Sequence, residues 1–206
     1  MVKSAQRGFT FIEISLAMGM TLALLTLIGV YFARGQRYAA ETRAYAEAQS
    51  GASALLRKIS DQLYRGTYQQ RKVDASEILF LSYGANESET LRVELERTSG
   101  RIAWKKWVGF YHDPASKTVY KGELPLRNTL YDLTTPADPD ISLDDFRTNH
   151  EVIRTPMPGK VREFRIQTVN RRVKVELVTE AFAPITGNDT DKEIVVRVSG
   201  EVAIYN

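Results

Sequence analysis

Glu13 is the residue whose placement most demands a chemical explanation. It lies in RGFTFIEISLAMGM (7–20), and from Phe9 to Ala33 no other side chain is an acid or base except tyrosine. A carboxylate at the centre of a bilayer-spanning helix costs roughly 2.5–3.5 kcal/mol, and less near an end. A buried charge becomes tolerable when it is paired and hydrogen-bonded. The chemistry on offer is therefore ion pairing with a cation at the same depth. Its alternative is a side chain that snorkels to the headgroups.

The remaining reactive groups do not assemble into a catalytic pattern. There is no cysteine, which excludes disulfides, thiolate metal sites and a cysteine nucleophile. The two histidines, His112 and His150, fall in no metal-binding spacing, and His112 beside Asp113 and Pro114 reads as a turn residue. No nucleophile elbow, phosphate loop or dinucleotide fingerprint occurs. Asp132, Asp138, Asp140, Asp144 and Asp145 offer oxygen ligands of the kind Ca²⁺ takes, yet without EF-hand spacing. A solvated acidic loop is expected, with Asp138, Asp140, Asp144 and Asp145 as the residual metal candidates. Lys105, Lys106 and Trp107 place basic and aromatic groups together, as single-strand DNA contacts do. On a strand they are expected to alternate between solvent and core instead. No catalytic residue and no cofactor are expected, and the chain reads as a non-enzyme.

The elements that carry these residues follow from periodicity. Ile14 to Ala33 has the roughly 20 apolar residues that a membrane span needs. That core is too long for a secretory signal, and no Ala-x-Ala site follows it. Lys3 and Arg7 on one flank balance Arg34 and Arg37 on the other, so the charges do not set orientation. Arg34 to Arg65 is alanine-rich and free of proline. Tyr38, Tyr45, Ala52 and Ile59 stand seven apart, and Ala48, Leu55, Leu56 and Leu63 fill the same face. This predicts one continuous helix of roughly 55 residues, with Gly66 as its stop.

Strands are predicted beyond it at 76–83, 89–96 and 101–113, with DPASK (113–117) turning into 118–122. Residues 161–169 and 172–180 form a second hairpin about Asn170 and Arg171, and a last strand runs to the C-terminus. Residues 123–159 hold five of the seven prolines. They are expected to be a surface loop subdomain outside the core, so that deleting 134–149 would spare stability. Within it, SLDDF (142–146) has a Ser-x-x-Asp helix start. About 170 residues remain past the apolar stretch, enough for one modest domain. The formal charge of +3 falls to +1 without Lys3 and Arg7, which gives no global electrostatic case for nucleic acid.

KSAQRGFTFIEISLAM (3–18) resembles the leader and helix start of a type IV prepilin: a short basic leader ending in glycine, then Phe-Thr-x-x-Glu opening a long apolar helix. Phe11 stands where leucine is common, and Val30 where many major pilins carry a proline, which leans towards a minor pilin or pseudopilin. The order of helix then strands is similar to J-type pseudopilins of type II secretion and W-type minor pilins. The resemblance implies an α+β, pilin-like fold, with a long N-terminal helix packed on antiparallel sheet. It divides the chain into a cleaved leader (1–8), a transmembrane half-helix (9–33), an amphipathic half (34–66) and a periplasmic head (67–206).

The same resemblance implies cleavage between Gly8 and Phe9 by a prepilin peptidase and N-methylation of Phe9. Glu13 would pair with the Phe9 ammonium of a neighbouring subunit during assembly. Ser15, Gly19 and Ala23, four apart, would form a close-packing stripe. The implied partners are other minor subunits, the major subunit and inner-membrane lipid, with DNA not expected. The implied place is the inner membrane, and after assembly a pilus or pseudopilus. The competing reading is a single-pass, signal-anchored periplasmic enzyme or binding protein.

Overall fold

A computed structural model describes residues 10–67, 69–83, 95–96, 99–170, 172–183 and 191–203. Helix α1 runs from Phe11 to Tyr64 without interruption, 54 residues, or about 80 Å. Two features of the sequence account for that length: no proline occurs within it, and Thr10 caps its start. Residues 10–39 are all exposed. They include one N-terminal apolar stretch long enough to cross a bilayer. Three of its hydroxyls are satisfied inside the helix: Ser15, Thr21 and Thr26 donate to the carbonyls of Phe11, Ala17 and Leu22 at 2.9, 2.8 and 2.8 Å. These three need no water, which suits them to hydrocarbon.

The second half of α1 packs through Ala44, Ala48, Ala52, Leu55, Ile59 and Leu63. Tyr38 and Tyr45, placed on this face by their spacing, are 71% and 48% exposed. The sheets reach back along the helix only to Ala44, short of Tyr38, while Tyr45 stands beside the buried stripe that Ala44 and Ala48 mark. The helix stops as expected, with the Gly66 amide bonded to the Leu63 carbonyl at 3.0 Å. A side chain at position 66 would collide with the Phe80 ring.

Two antiparallel sheets face α1. The first is ordered β1 (Lys72–Asp74), β2 (Glu77–Ser82), β3 (Trp104–Asp113), β4 (Thr118–Leu130) and β5 (Ile153–Pro156). The second is β6 (Val161–Val169), β7 (Arg172–Ala183) and β8 (Lys192–Ala203). Together they make an α+β layout. Both predicted hairpins form, and Asn170 takes the positive φ of 53° that its tight turn requires. The main core joins Leu55, Ile59 and Leu63 to Phe80, Phe110, Val175 and Leu177. Most of the strand expected at 89–96 lies outside the described residues, and Leu95 pairs with Ile102 in an isolated bridge. The last three residues of the C-terminal strand lie outside them as well.

The expectation for residues 123–159 is overturned. Strand β4 continues to Leu130, β5 pairs with β4, and the chain between them lies across the far face of the first sheet as a strap. Ala137, Ile141, Phe146 and Val152 form a second core with Leu79, Leu81, Trp107 and Leu124. Helix α2 (Leu143–Thr148) has the predicted Ser142 start, with the Ser142 hydroxyl accepting from the Asp145 amide at 3.1 Å. It delivers Phe146 onto the cross-strand pair Gly109 and Gly122. A Cβ at either glycine would stand 2.6 or 2.5 Å from the phenyl ring. Two missing side chains make the notch that one aromatic fills. Polar bonds fasten the rest. Trp107 Nε1 donates to the Pro139 carbonyl at 2.8 Å, and Gln70 donates to the carbonyls of Leu133 and Thr135, each at 2.8 Å.

A buried ionic group sits on the opposite face of the same sheet. Glu123 lies between Lys106 at 2.8 Å and Lys121 at 2.7 Å. Burial pushes its carboxyl up, but the hydrogen bonds from Lys106 and Lys121 outweigh this and hold it below the ordinary glutamate range. A depressed folded pKa gives stability that is complete above the unfolded value of about 4.3 and is lost as pH falls through the folded one. Equilibrium unfolding between pH 6 and pH 3 is expected to show a smaller acid loss in Glu123→Gln than in wild type. An identical acid limb in the variant would remove Glu123 from the account.

Candidate functional site

The site with a chemical purpose is the first turn of α1. Thr10 and Glu13 form a reciprocal capping box, which the spacing Thr-x-x-Glu encodes. The Thr10 hydroxyl accepts from the Glu13 amide at 3.3 Å. In return, the Thr10 amide and hydroxyl both donate to Glu13 Oε2, at 2.8 and 2.9 Å. Glu13 Oε1 accepts no hydrogen bond among the described residues. The carboxylate also sits at the positive end of the helix dipole, which favours its charge. One oxygen thus holds the helix end. The exposed carboxylate borders the bare apolar face of Ile14, Ala17, Thr21 and Leu25.

Ser15, Gly19 and Ala23 are exposed on α1, and nothing approaches within 4 Å of where a Gly19 Cβ would be. This surface is bare in the single chain. Gly8 and Phe9 lie outside the described residues. The arrangement that can be seen is an anionic oxygen, fixed by its own chain, at the tip of an uncovered apolar helix.

The other candidates separate. Asp138 lies 3.8 Å from Arg127, and Asp140 pairs with Lys72 at 2.5 Å. Asp145 serves the α2 cap, and Asp132 accepts from the Thr134 amide and hydroxyl. Among the described residues no group of three or more histidine, aspartate or glutamate side chains gathers as a metal set. Lys106 is buried against Glu123, and Trp107 is buried on the opposite face. The Lys105–Trp107 run therefore offers no joint exposed surface. His112 is not a turn residue, as expected from its neighbours, but is buried in β3. Its Nε2 lies 2.8 Å from the Val161 carbonyl and ties the two sheets together.

Two features went unread in the sequence. The intrachain role of Thr10 was spelled by TFIE (10–13). The other is a cleft of about 510 Å³ at the end of the strap-covered face, around Tyr111, Tyr120, Arg147 and Arg154. Its residues come from four separate elements, and no local pattern announces it.

Compared with protein-family models, curated proteins and solved structures, the chain matches none of them.

Proposed function

We propose that this chain is a membrane-anchored minor pilin or pseudopilin, a subunit that helps to initiate or cap a type IV pilus or a type II secretion pseudopilus. One observation carries the reading: Glu13 is an exposed carboxylate, held through one oxygen by Thr10 at the start of an uncovered apolar helix, five residues after a glycine that ends a short basic leader. After cleavage behind Gly8, the Phe9 ammonium would stand about four residues, or 6 Å, from Glu13 along the helix. A neighbour's ammonium at that depth supplies the missing partner for Oε1. It also fixes axial register, because any other offset leaves both charges unpaired in low dielectric. In this reading the leader is cytoplasmic, the head periplasmic, and the exposed half of α1 packs against lipid and then against sister helices. The partners are other minor subunits, the major subunit and the prepilin peptidase.

The mature N-terminus is the test. Mass spectrometry of the wild-type chain from its host is expected to show an N-methyl-phenylalanine start at Phe9. Gly8→Val is expected to stay full length, since only glycine leaves the backbone bare enough for close approach in a tight site. An intact Met1 in the wild-type chain would point instead to a simple signal anchor on a periplasmic protein.

A further inference from the structure

Across four strands of the first sheet, Glu77, Tyr111, Tyr120 and Pro156 stand opposite one another in a row. The row lies next to the glycine pair, and its two central members, Tyr111 and Tyr120, form the floor of the cleft. The two tyrosine rings stack at 5.6 Å and 18°, and the Arg147 guanidinium lies 5.8 Å from the Tyr111 ring centre. Arg154 rises from β5 as a wall. It donates to the carbonyls of Arg147 and Asn149, each at 2.7 Å, which fixes the end of α2. Asp113, Asp144 and Thr148 complete the rim. None of this has a part in helix assembly, and it lies on the side of the sheet away from the main core that α1 joins.

The chemistry narrows the occupant. The volume of about 510 Å³ suits a small ligand. Two guanidiniums face two rim carboxylates, and Arg147 is already paired with the buried Glu77 at 3.6 Å, so a compact anion would meet acids as readily as free arginine charge. A wholly apolar ligand would strip water from charged groups and return no hydrogen bonds. The lining combines aromatic carbon, donors (Arg147, Arg154, the phenols) and acceptors (Asp113, Asp144) within one small space. A pyranose has the matching surface: C–H faces for aromatic carbon, and adjacent hydroxyls that each donate and accept. We propose that the Tyr111–Tyr120 cleft binds a short oligosaccharide, either free or as the exposed end of a glycan polymer.

The test uses the full chain in a sugar-free zwitterionic detergent. Maltotriose, cellotriose and chitotriose are titrated calorimetrically, and purified bacterial cell-wall sacculi are tested by co-sedimentation. At least one probe is expected to bind saturably. Tyr120→Ala is expected to weaken it about tenfold, as loss of an aromatic contact does. Because Tyr120 is half-buried, Asp144→Asn on the exposed side of α2 provides a milder second variant, also expected to weaken binding. Binding by a soluble trisaccharide identifies a free ligand, and binding by sacculi alone identifies a polymer end. If none of the four probes binds, or if binding is unchanged in folded variants, the assignment is overturned.

Discussion

Replacing Phe146 by alanine is expected to lower the melting temperature by roughly 6–20 °C, corresponding to about 3–5 kcal/mol in a chain of this size. Phe146 is 2% exposed and is the strap's largest side chain in the second core. Its loss leaves a cavity between Gly109 and Gly122 that no neighbouring side chain fills, because those positions have none. The fluorescence of Trp104 and Trp107, both in the same cluster, gives a local reading of the transition. Filling the notch from below should act the same way: Gly122→Val pushes against a ring already at van der Waals distance from the backbone, and overpacking of this kind costs about 1–3 kcal/mol. Deleting residues 134–149 removes Phe146, Ile141 and the Pro139 carbonyl together, and is expected to be worse than either substitution. A melting curve for Phe146→Ala that overlays wild type would return the strap to the status of a surface loop.

The second large effect is on assembly, and it leaves folding alone. Glu13→Gln keeps the size and an amide oxygen able to accept from Thr10, so the capping box survives, since glutamine serves at this position. Membrane insertion becomes easier by roughly 1–2 kcal/mol near a helix end. A plain anchor would lose nothing. In a filament the neighbour's ammonium would be left unpaired in low dielectric, at a cost of about 3–5 kcal/mol per contact. The expected protein is expressed, processed and membrane-resident, yet missing from complexes with its partner subunits in a pull-down. Thr10→Ala separates the two roles of Glu13, because it removes both bonds of the Thr10 hydroxyl, leaves the backbone amide's bond to Oε2 and keeps the charge. It is expected to weaken recovery less than Glu13→Gln. Wild-type recovery of Glu13→Gln would show that the carboxylate only snorkels.

The parts that were legible in the sequence are those whose causes are local. Thr10, the alanine-rich run and Gly66 announce one helix and its end, and Asn170 announces a hairpin. The strap was hidden because its buried residues, Ala137, Ile141, Phe146 and Val152, follow no period and sit among prolines that suggest a loop. What makes them core is a pair of glycines that neighbour each other only after β3 and β4 have paired. His112 was misread for the same reason: its partner, the Val161 carbonyl, belongs to the other sheet. Heptad spacing does not say where a sheet ends, which leaves Tyr38 uncovered, and it puts Tyr45 one position off the buried stripe of Ala44 and Ala48. At Glu13 the unusual placement was plain, whereas the division of labour between its two oxygens needed coordinates.

The reach of the sheets along α1 also has a mechanical consequence. Between Ala33, where the apolar run ends, and Ala44, where packing begins, the helix is exposed through residue 39 and half-buried at Ala40 and Glu41. The Glu41–Lys192 ion pair at 2.8 Å is a light tether near the end of that interval. Gly35 lies within it with open space around it, and glycine weakens a helix by about 1 kcal/mol relative to alanine. Amide protons of residues 34–39 are therefore expected to exchange with solvent faster than those of the packed half of the helix, since the sheets do not reach them. From Gly35 to Tyr64 the helix forms a lever arm of about 44 Å, so a tilt of only 10° there swings the far end of the head through about 8 Å. In the proposed filament subunit, this interval would act as a wrist, letting the head search for neighbouring subunits before the helices lock.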